Sequence, residues 1–374
     1  MEVRGRLRVG LYATALGTGG GMERYARELL RALGRRDDIE LVVAVSDAGR
    51  GEPEQLAPGN LVDVVVIGGA GPIGRGLRER YTLGRALEAR GVDVVHGTKH
   101  FLPRTDRPTV LTVQDIMVLT WPDQYRRRTK YLLPRQYLRA MREATVIVTA
   151  SDATRDRLTG IDADLGEKAV TVPNGVAPVL LDAVPEAIPE LVDTAFALVV
   201  GDPSPRKNLG LLLDIWGDVT RASDLVLVAV GPEGWRSRSM RRRLEALTTS
   251  GEVFWAGRVS DERLRWCYDH ARVVLVPSRE EGFGLPVVEA LALGAPVIAS
   301  SDPALVEVGA GRPRHLDADD AIGWTAAIVE AARVDRAIAP TPPDPFAFPT
   351  WDACAAGTTD AYRLAVGVAS APKP

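Results

Sequence analysis

The run Glu280-Glu281-Gly282-Phe283-Gly284-Leu285-Pro286-Val287-Val288-Glu289-Ala290-Leu291-Ala292-Leu293-Gly294-Ala295-Pro296-Val297-Ile298-Ala299 decides how this chain is read. Before it, residues 271–277 (Ala-Arg-Val-Val-Leu-Val-Pro) form a short β-branched run with the character of a buried parallel strand. After it, residues 296–299 read as the next strand. Between the two, Gly282 and Gly284 free the backbone to approach a ligand. Pro286 suits the first turn of a helix, Leu291 and Leu293 fill its body, and Gly294 stops it. The pattern is that of an α/β protein with parallel strands.

This layout puts Glu281 in the loop before a helix and Glu289 about one turn inside it. The amides of Phe283, Gly284 and Leu285 head the helix, where polar or anionic groups are welcome. Two carboxylates that accept hydroxyl hydrogens, beside a row of free amides, suit a sugar attached to a phosphate. The plainer alternative is a pair of solvated acids around an ordinary strand–helix turn.

The spacing Glu281-x7-Glu289, followed by Ala-Leu-Ala-x-Gly-x-Pro-Val, resembles the signature of the retaining glycosyltransferases of family 4, which have the GT-B fold. The resemblance implies that Glu281 contacts a donor sugar, that Glu289 holds a nucleotide ribose, and that the loop amides hold a diphosphate. It also implies two Rossmann-like α/β/α domains facing each other across a cleft, with a C-terminal helix crossing back to the N-terminal domain.

Length agrees with two domains, because 374 residues are too many for one core. Hydrophobic content of 46% and charge of 25% are those of an ordinary globular protein, and a net charge of −3 gives no bulk attraction to nucleic acid. The charge is uneven: residues 1–178 hold 27 Lys+Arg against 22 Asp+Glu, a net of +5, and residues 179–374 hold 19 against 27, a net of −8. A basic first half suits an anionic acceptor or peripheral contact with a membrane surface; a scatter of solvated arginines is the alternative. Cys267 and Cys354 lie far apart without metal-ligand spacing, which points to a reducing compartment. No apolar run is long enough to span a membrane, and the first eight residues lack the apolar core of a signal peptide. The reading is cytoplasmic, with the inner face of the membrane left open.

In the first half, residues 7–13 are a strand running into Gly17-Thr18-Gly19-Gly20-Gly21-Met22-Glu23-Arg24-Tyr25, after which Tyr25, Leu29, Leu30 and Leu33 mark an amphipathic helix. Strand, glycine loop and helix together can cradle phosphate. The dinucleotide fingerprint is absent, since its third glycine position is Met22, and so is a Walker A loop. The stretch looks instead like the family's N-terminal loop, in which Gly20 and Gly21 approach donor phosphates and Met22 the acceptor; a tight turn alone would also explain the glycines. Further strands are expected at residues 41–45, 61–67, 92–96, 109–113 and 144–150. His96, at a strand end, is placed for the acceptor, although a lone histidine there is more often structural. Gln114-Asp115 stands where relatives carry His-Asp, the His touching the donor sugar. Gln114 can hydrogen-bond a hydroxyl but cannot carry a proton. Asp115 is positioned to orient the loop or the acceptor. Tyr125-Arg126-Arg127-Arg128-Thr129-Lys130-Tyr131 is either a solvated face or a grip on a phosphorylated or membrane-bound acceptor. Asn174-Gly175 reads as a turn closing the domain.

In the second half, a strand at residues 195–201 is followed by Asp202-Pro203-Ser204-Pro205-Arg206-Lys207-Asn208-Leu209. Cations at a helix start oppose its dipole, which makes sense if an anion lies between them and the helix end. The resemblance agrees: family members bind the donor diphosphate here. It also implies that the backbone near Arg258 and Val259 reads the nucleotide base. Ser151 and Ser260 are helix caps, and Leu264, Cys267 and Tyr268 are core. The domain boundaries expected are 1–178 for an acceptor-binding domain, 179–191 for a linker, 192–345 for a nucleotide-sugar domain, and 346–374 for a crossover helix and tail.

The resemblance thus implies a retaining hexosyltransferase that moves a sugar, of mannose or rhamnose type, from a nucleotide diphosphate to a hydroxyl on a saccharide, lipid-linked or natural-product acceptor. The catalytic set is Glu281, Arg206, Lys207 and Gln114. No metal or other cofactor is expected, because cationic side chains and helix amides can neutralise the leaving diphosphate. Competing readings are a nucleotide-sugar epimerase or phosphorylase on the same fold, and a non-catalytic partner subunit, toward which Gln114 points.

Overall fold

A computed structural model describes residues 6–68, 79–99, 101–122, 127–232, 238–334 and 347–370. Tyr125 and Arg126 of the basic run and the proline-rich segment 339–345 lie outside the described residues. The chain divides into two units: Met1–Gly175 with Pro349–Pro374, and Val176–Phe348.

In the first unit the β-branched runs become β1 (Leu7–Tyr12), β2 (Ile39–Ser46), β3 (Leu61–Ile67), β4 (Val94–Gly97), β5 (Thr109–Val113), β6 (Val146–Thr149) and β7 (Ala169–Thr171). They form one parallel sheet in the order β3-β2-β1-β4-β5-β6-β7. Val9 pairs with both Leu41 and Val94, so β1 is central. The order reverses between β1 and β4, which leaves a crevice at the carboxyl ends of these strands, where ligands of open α/β sheets bind.

Helix Gly21–Leu33 follows β1 and buries Tyr25, Leu29, Leu30 and Leu33, the face its spacing predicts. The last helix, Trp351–Ser370, packs into the same core through Trp351, Cys354, Tyr362 and Ala365. The C-terminal end of the chain therefore returns to the first unit and completes it.

The second unit holds β8 (Phe196–Val200), β9 (Val226–Val230), β10 (Val253–Gly257), β11 (Val273–Val276), β12 (Val297–Ser300) and β13 (Arg314–Leu316). This sheet is also parallel, in the order β10-β9-β8-β11-β12-β13, and reverses between β8 and β11. Separate cores built around Tyr268 and Trp216 support the unit.

Two expectations need correction, and one strand was missed. Segment 179–191 is no free linker: it carries helix Pro178–Leu181 and the 3-10 turn Pro189–Leu191, and Leu180, Ile188 and Leu191 are buried in the second unit's core. Asn174-Gly175 makes no turn. Its backbone runs straight on, Asn174 is buried, and Gly175 lies against the backbone of Thr350 and Trp351, where a Cβ would collide. Strand β13 was not foreseen, because Arg314-His315-Leu316 has neither alternation nor a β-branched run.

Candidate active site

The central cluster of the second unit grows from two neighbouring strand ends. Beyond β8, Pro205 opens the 3-10 turn Pro205–Lys207, and Asn208, with φ at 55°, hands the chain to helix Leu209–Ala222. The Asn208 amide fixes this corner by donating to the Ala318 carbonyl at 2.7 Å. Beyond β11, the chain runs through Ser278 to Glu281. The Arg279 N–H donates to the Arg206 carbonyl at 2.7 Å and ties the two loops together.

The result is a buried ionic cluster. Lys207 Nζ donates to Glu281 Oε1, Ser278 Oγ donates to the same oxygen at 2.7 Å, and Arg206 reaches Oε2 at 3.4 Å. Glu281 is 5% exposed. Burial pushes its carboxyl up, but the Lys207 ammonium and the Arg206 guanidinium outweigh burial and hold it below its ordinary value. Both carboxylate oxygens are engaged, which makes Glu281 a weak base and a weak nucleophile. Asp202 approaches Arg206 at 3.9 Å from the other side, so each cation of the cluster has a carboxylate partner. In the place the sequence reserves for a bound anion, the chain's own Glu281 sits between the cations.

Helix Leu285–Ala292 begins just after Glu281, with Pro286 in its first turn. Gly284 has φ of 98°, and a Cβ there would run into Leu305, so only glycine fits. The leading amides of this helix have no partner within it. Glu289 is buried on the helix and accepts a hydrogen bond from the Tyr268 hydroxyl at 2.8 Å. Tyr268, read from the sequence as plain core, thus holds a site carboxylate. Neither its contact nor that of Ser278 has a signal in the sequence, since both depend on tertiary placement. A narrow pocket lies at the β8/β11 reversal, lined by Gly201, Lys207, Trp255 and Ser278 among others. Arg258 is exposed just beyond β10, and Val259 packs against the core. Among the described residues, Arg258 forms no bond to the Arg206–Lys207–Glu281 cluster.

In the first unit, Gly20 caps helix Gly21–Leu33 with φ of 94° and ψ of −177°, a conformation essentially confined to glycine. A Cβ on Gly20 or Gly21 would meet nothing within 4 Å, so both face open space. Met22 packs in part against the core. Gln114 extends from β5 and exchanges hydrogen bonds with Asn174: its Nε2 donates at 3.3 Å, and Asn174 Nδ2 donates back at 2.6 Å. Asp115 organises its own loop, accepting from the Met117 N–H at 3.0 Å while its carbonyl accepts from the Tyr137 hydroxyl.

His96 does not serve an acceptor. It is fully buried, with Nδ1 bonded to the Tyr362 hydroxyl at 2.7 Å and Nε2 to Thr112 Oγ1 at 2.8 Å. Thr112 in turn meets the Tyr25 hydroxyl at 2.9 Å. Burial pushes the imidazole down to about 3, so it stays neutral. The histidine is a joint between β4, β5 and the last helix, with both ring nitrogens occupied. Among the described residues, no three His, Cys, Asp or Glu side chains group so as to hold a metal ion.

Residues 19–179 match the family described as Glycosyltransferase Family 4, and residues 184–310 match Glycosyl transferases group 1. The two matches meet around the change from the first unit to the second. The chain belongs to the family 4, group 1 glycosyltransferases. This glycosyltransferase is 28% identical over 282 residues to O-antigen chain mannosyltransferase B of Escherichia coli, covering 72% of the chain and 74% of that relative. Its fold is similar to that of sucrose-phosphate synthase from Thermosynechococcus elongatus (TM-score 0.67, 20% identity, 96% and 98% covered). It is also similar to Anabaena Alr3699/HepE in complex with UDP-glucose (TM-score 0.63, 16% identity, 97% of each covered). The fold class is GT-B, and the family makes the chain an enzyme of the hexosyltransferase type.

Proposed function

We propose that this glycosyltransferase transfers a sugar from a nucleotide-diphosphate sugar to a hydroxyl acceptor with retention at the anomeric carbon, the sugar being of mannose type. The observation that carries the reading is the buried Arg206–Lys207–Glu281 cluster beside the start of helix Leu285–Ala292. Two held cations and the positive end of a helix suit a diphosphate that gains charge as it leaves. The Arg206 guanidinium and Lys207 ammonium, released from their carboxylates, would do the work of a metal ion in this reading. Glu281, held ionised with both oxygens occupied, is poorly suited to attack an anomeric carbon. This favours entry of the acceptor from the leaving-group side over a covalent intermediate on this residue. Glu281 would orient the sugar, Glu289 the ribose, and the backbone around Val259 the base. On the first unit, Gln114, Gly20 and Gly21 are proposed ligand contacts. The mannose assignment rests on the Escherichia coli relative, and the nucleotide-sugar class on the UDP-glucose complex of a protein with the same fold.

A thermal-shift screen of UDP, GDP, ADP and TDP at millimolar concentration tests the donor site. A ligand at 100 times its Kd stabilises by about 2.7 kcal/mol. One nucleotide should raise the melting point of the wild type, and Lys207→Ala should abolish most of that rise. No shift with any of the four would remove the proposal.

The acceptor is proposed to lie at an anionic membrane face on the cytoplasmic side. Helix Arg127–Glu143 presents Tyr131 (59% exposed) and Leu132 (66% exposed) on the same face as exposed Arg135, Arg139 and Arg142. Arginines around protruding apolar side chains suit lipid headgroups. Among the described residues, no helix is long and apolar enough to cross a membrane, and both cysteines are buried and unpaired. Co-sedimentation with vesicles containing anionic lipid, lost in the Leu132→Glu variant, is the expected result. Equal sedimentation of the two proteins would reject this face as the contact.

A further inference from the structure

Glu281 is engaged at both oxygens, Oε1 by Lys207 Nζ and the Ser278 hydroxyl, and Oε2 by Arg206. Lys207 and Ser278 also line the narrow pocket at the β8/β11 reversal. A ligand in that pocket meets a cation that already holds a carboxylate. Asp202 answers Arg206, so the two positive and two negative side chains cancel. An anion entering a neutral cluster gains little attraction until a carboxylate withdraws.

The two carboxylates are unequal obstacles. The Asp202 side chain is 39% exposed and 3.9 Å from Arg206, so water screens a loose pair. The Glu281 side chain is 7% exposed and bonded directly to Lys207. An ammonium has three N–H donors, and on geometry alone a phosphate oxygen could join Glu281 there. Two anions on one largely buried ammonium repel each other, however, which makes joint occupancy the less stable arrangement. Glu281 has three side-chain torsions with which to swing aside. The Ser278 hydroxyl can rotate to keep its bond to the moved carboxylate. The other oxygen then needs a new donor, and a sugar hydroxyl supplies one.

We propose that Glu281 is a built-in competitor for the diphosphate: it fills the anion position of the empty site, yields it to the donor, and returns to help expel the spent nucleoside diphosphate. This rests on the proposed donor site at Arg206 and Lys207. Once the sugar has been transferred, the displaced carboxylate loses its hydroxyl donor and is driven back to the cations. By linkage, whatever the ion pairs contribute to the empty site is subtracted from the affinity for the nucleoside diphosphate.

The test titrates UDP, GDP, ADP and TDP into the wild type and the Glu281→Gln variant of the full chain by calorimetry. The variant should bind the preferred nucleoside diphosphate about tenfold tighter or more. Asp202→Asn keeps the oxygen that accepts the Ser204 N–H and should gain at most about fivefold. Unchanged or weaker binding in Glu281→Gln would overturn the proposal, by making Glu281 a support for the cations. An equal gain in Asp202→Asn would overturn it too, by reducing the effect to general charge. A wild-type crystal soaked with the same nucleoside diphosphate needs no variant to fold. Phosphate oxygens should stand on Lys207 with Glu281 moved off Nζ, and an intact Lys207–Glu281 bond beside bound diphosphate would reject the displacement. Failure of the donor reading looks different: none of the four binds either protein, or the diphosphate lies away from Lys207, and both readings then fall together.

Discussion

Glu281 is worth most to the second unit as a counter-ion. Its carboxyl lies below the ordinary value in the folded chain, so its stabilising contribution is present above the ordinary carboxyl range and is lost as pH falls through the lowered value. Glu281→Gln should therefore cost about 3 kcal/mol at neutral pH, because it strands the partly buried Lys207 and leaves Arg206 only Asp202. The gap to wild type should close in acid; denaturant titrations from pH 7 downward measure this, and a gap that persists would detach Lys207 and Arg206 from Glu281. Gly21 offers the opposite case. It sits at the first position of its helix, and nothing in the chain crowds a Cβ there. Gly21→Ala should hold stability within about 1 kcal/mol of wild type, or raise it, and any fall in turnover would then report a ligand passing close to the backbone. Unchanged kinetics would assign Gly21 to the turn alone. The paired acids and the Arg-Lys step were legible in the sequence because they fall beside recognisable strand ends. That Glu281 holds those cations was not legible, because the partners lie 74 and 75 residues apart and meet only through the β8–β11 pairing.

At the scale of elements, strands were legible because parallel strands buried on both faces must be continuous apolar runs. The residues after β7 were misjudged. Asn-Gly is a strong turn signal in isolation, yet here the asparagine side chain finds Gln114 and the glycine fits under Trp351. His96 shows the same limit: its strand end was predicted, but the hydroxyls from β5 and the last helix that claim its nitrogens could not be. The unfolded imidazole takes up a proton near pH 6.5, and the folded one only near 3. Between those values the unfolded state binds more protons, so stability must fall as pH drops through that window, by on the order of 5 kcal/mol in all. Hydrogen exchange followed from pH 7 to 5 should show β4 and the last helix loosening before the strands around Glu281, whose loss begins only below the ordinary carboxyl value. Uniform loosening of both units would contradict the buried neutral histidine.

For the whole molecule, two units with parallel sheets were foreseeable from length and from the repeated strand–helix rhythm. The fate of segment 179–191 was not, because its prolines suggested a spacer while Leu180, Ile188 and Leu191 supplied a second unit with core residues. The return of helix Trp351–Ser370 has a consequence for biosynthesis. The side chains of Trp351 and Tyr362 that plug the first unit leave the ribosome only after all of Val176–Phe348. The usual N-to-C order of domain maturation is then inverted. The unit begun first waits, with an open seam along helix Gly21–Leu33, while the inserted one can already close. A nascent chain stalled short of residue 351 would expose that seam to chaperones and proteases.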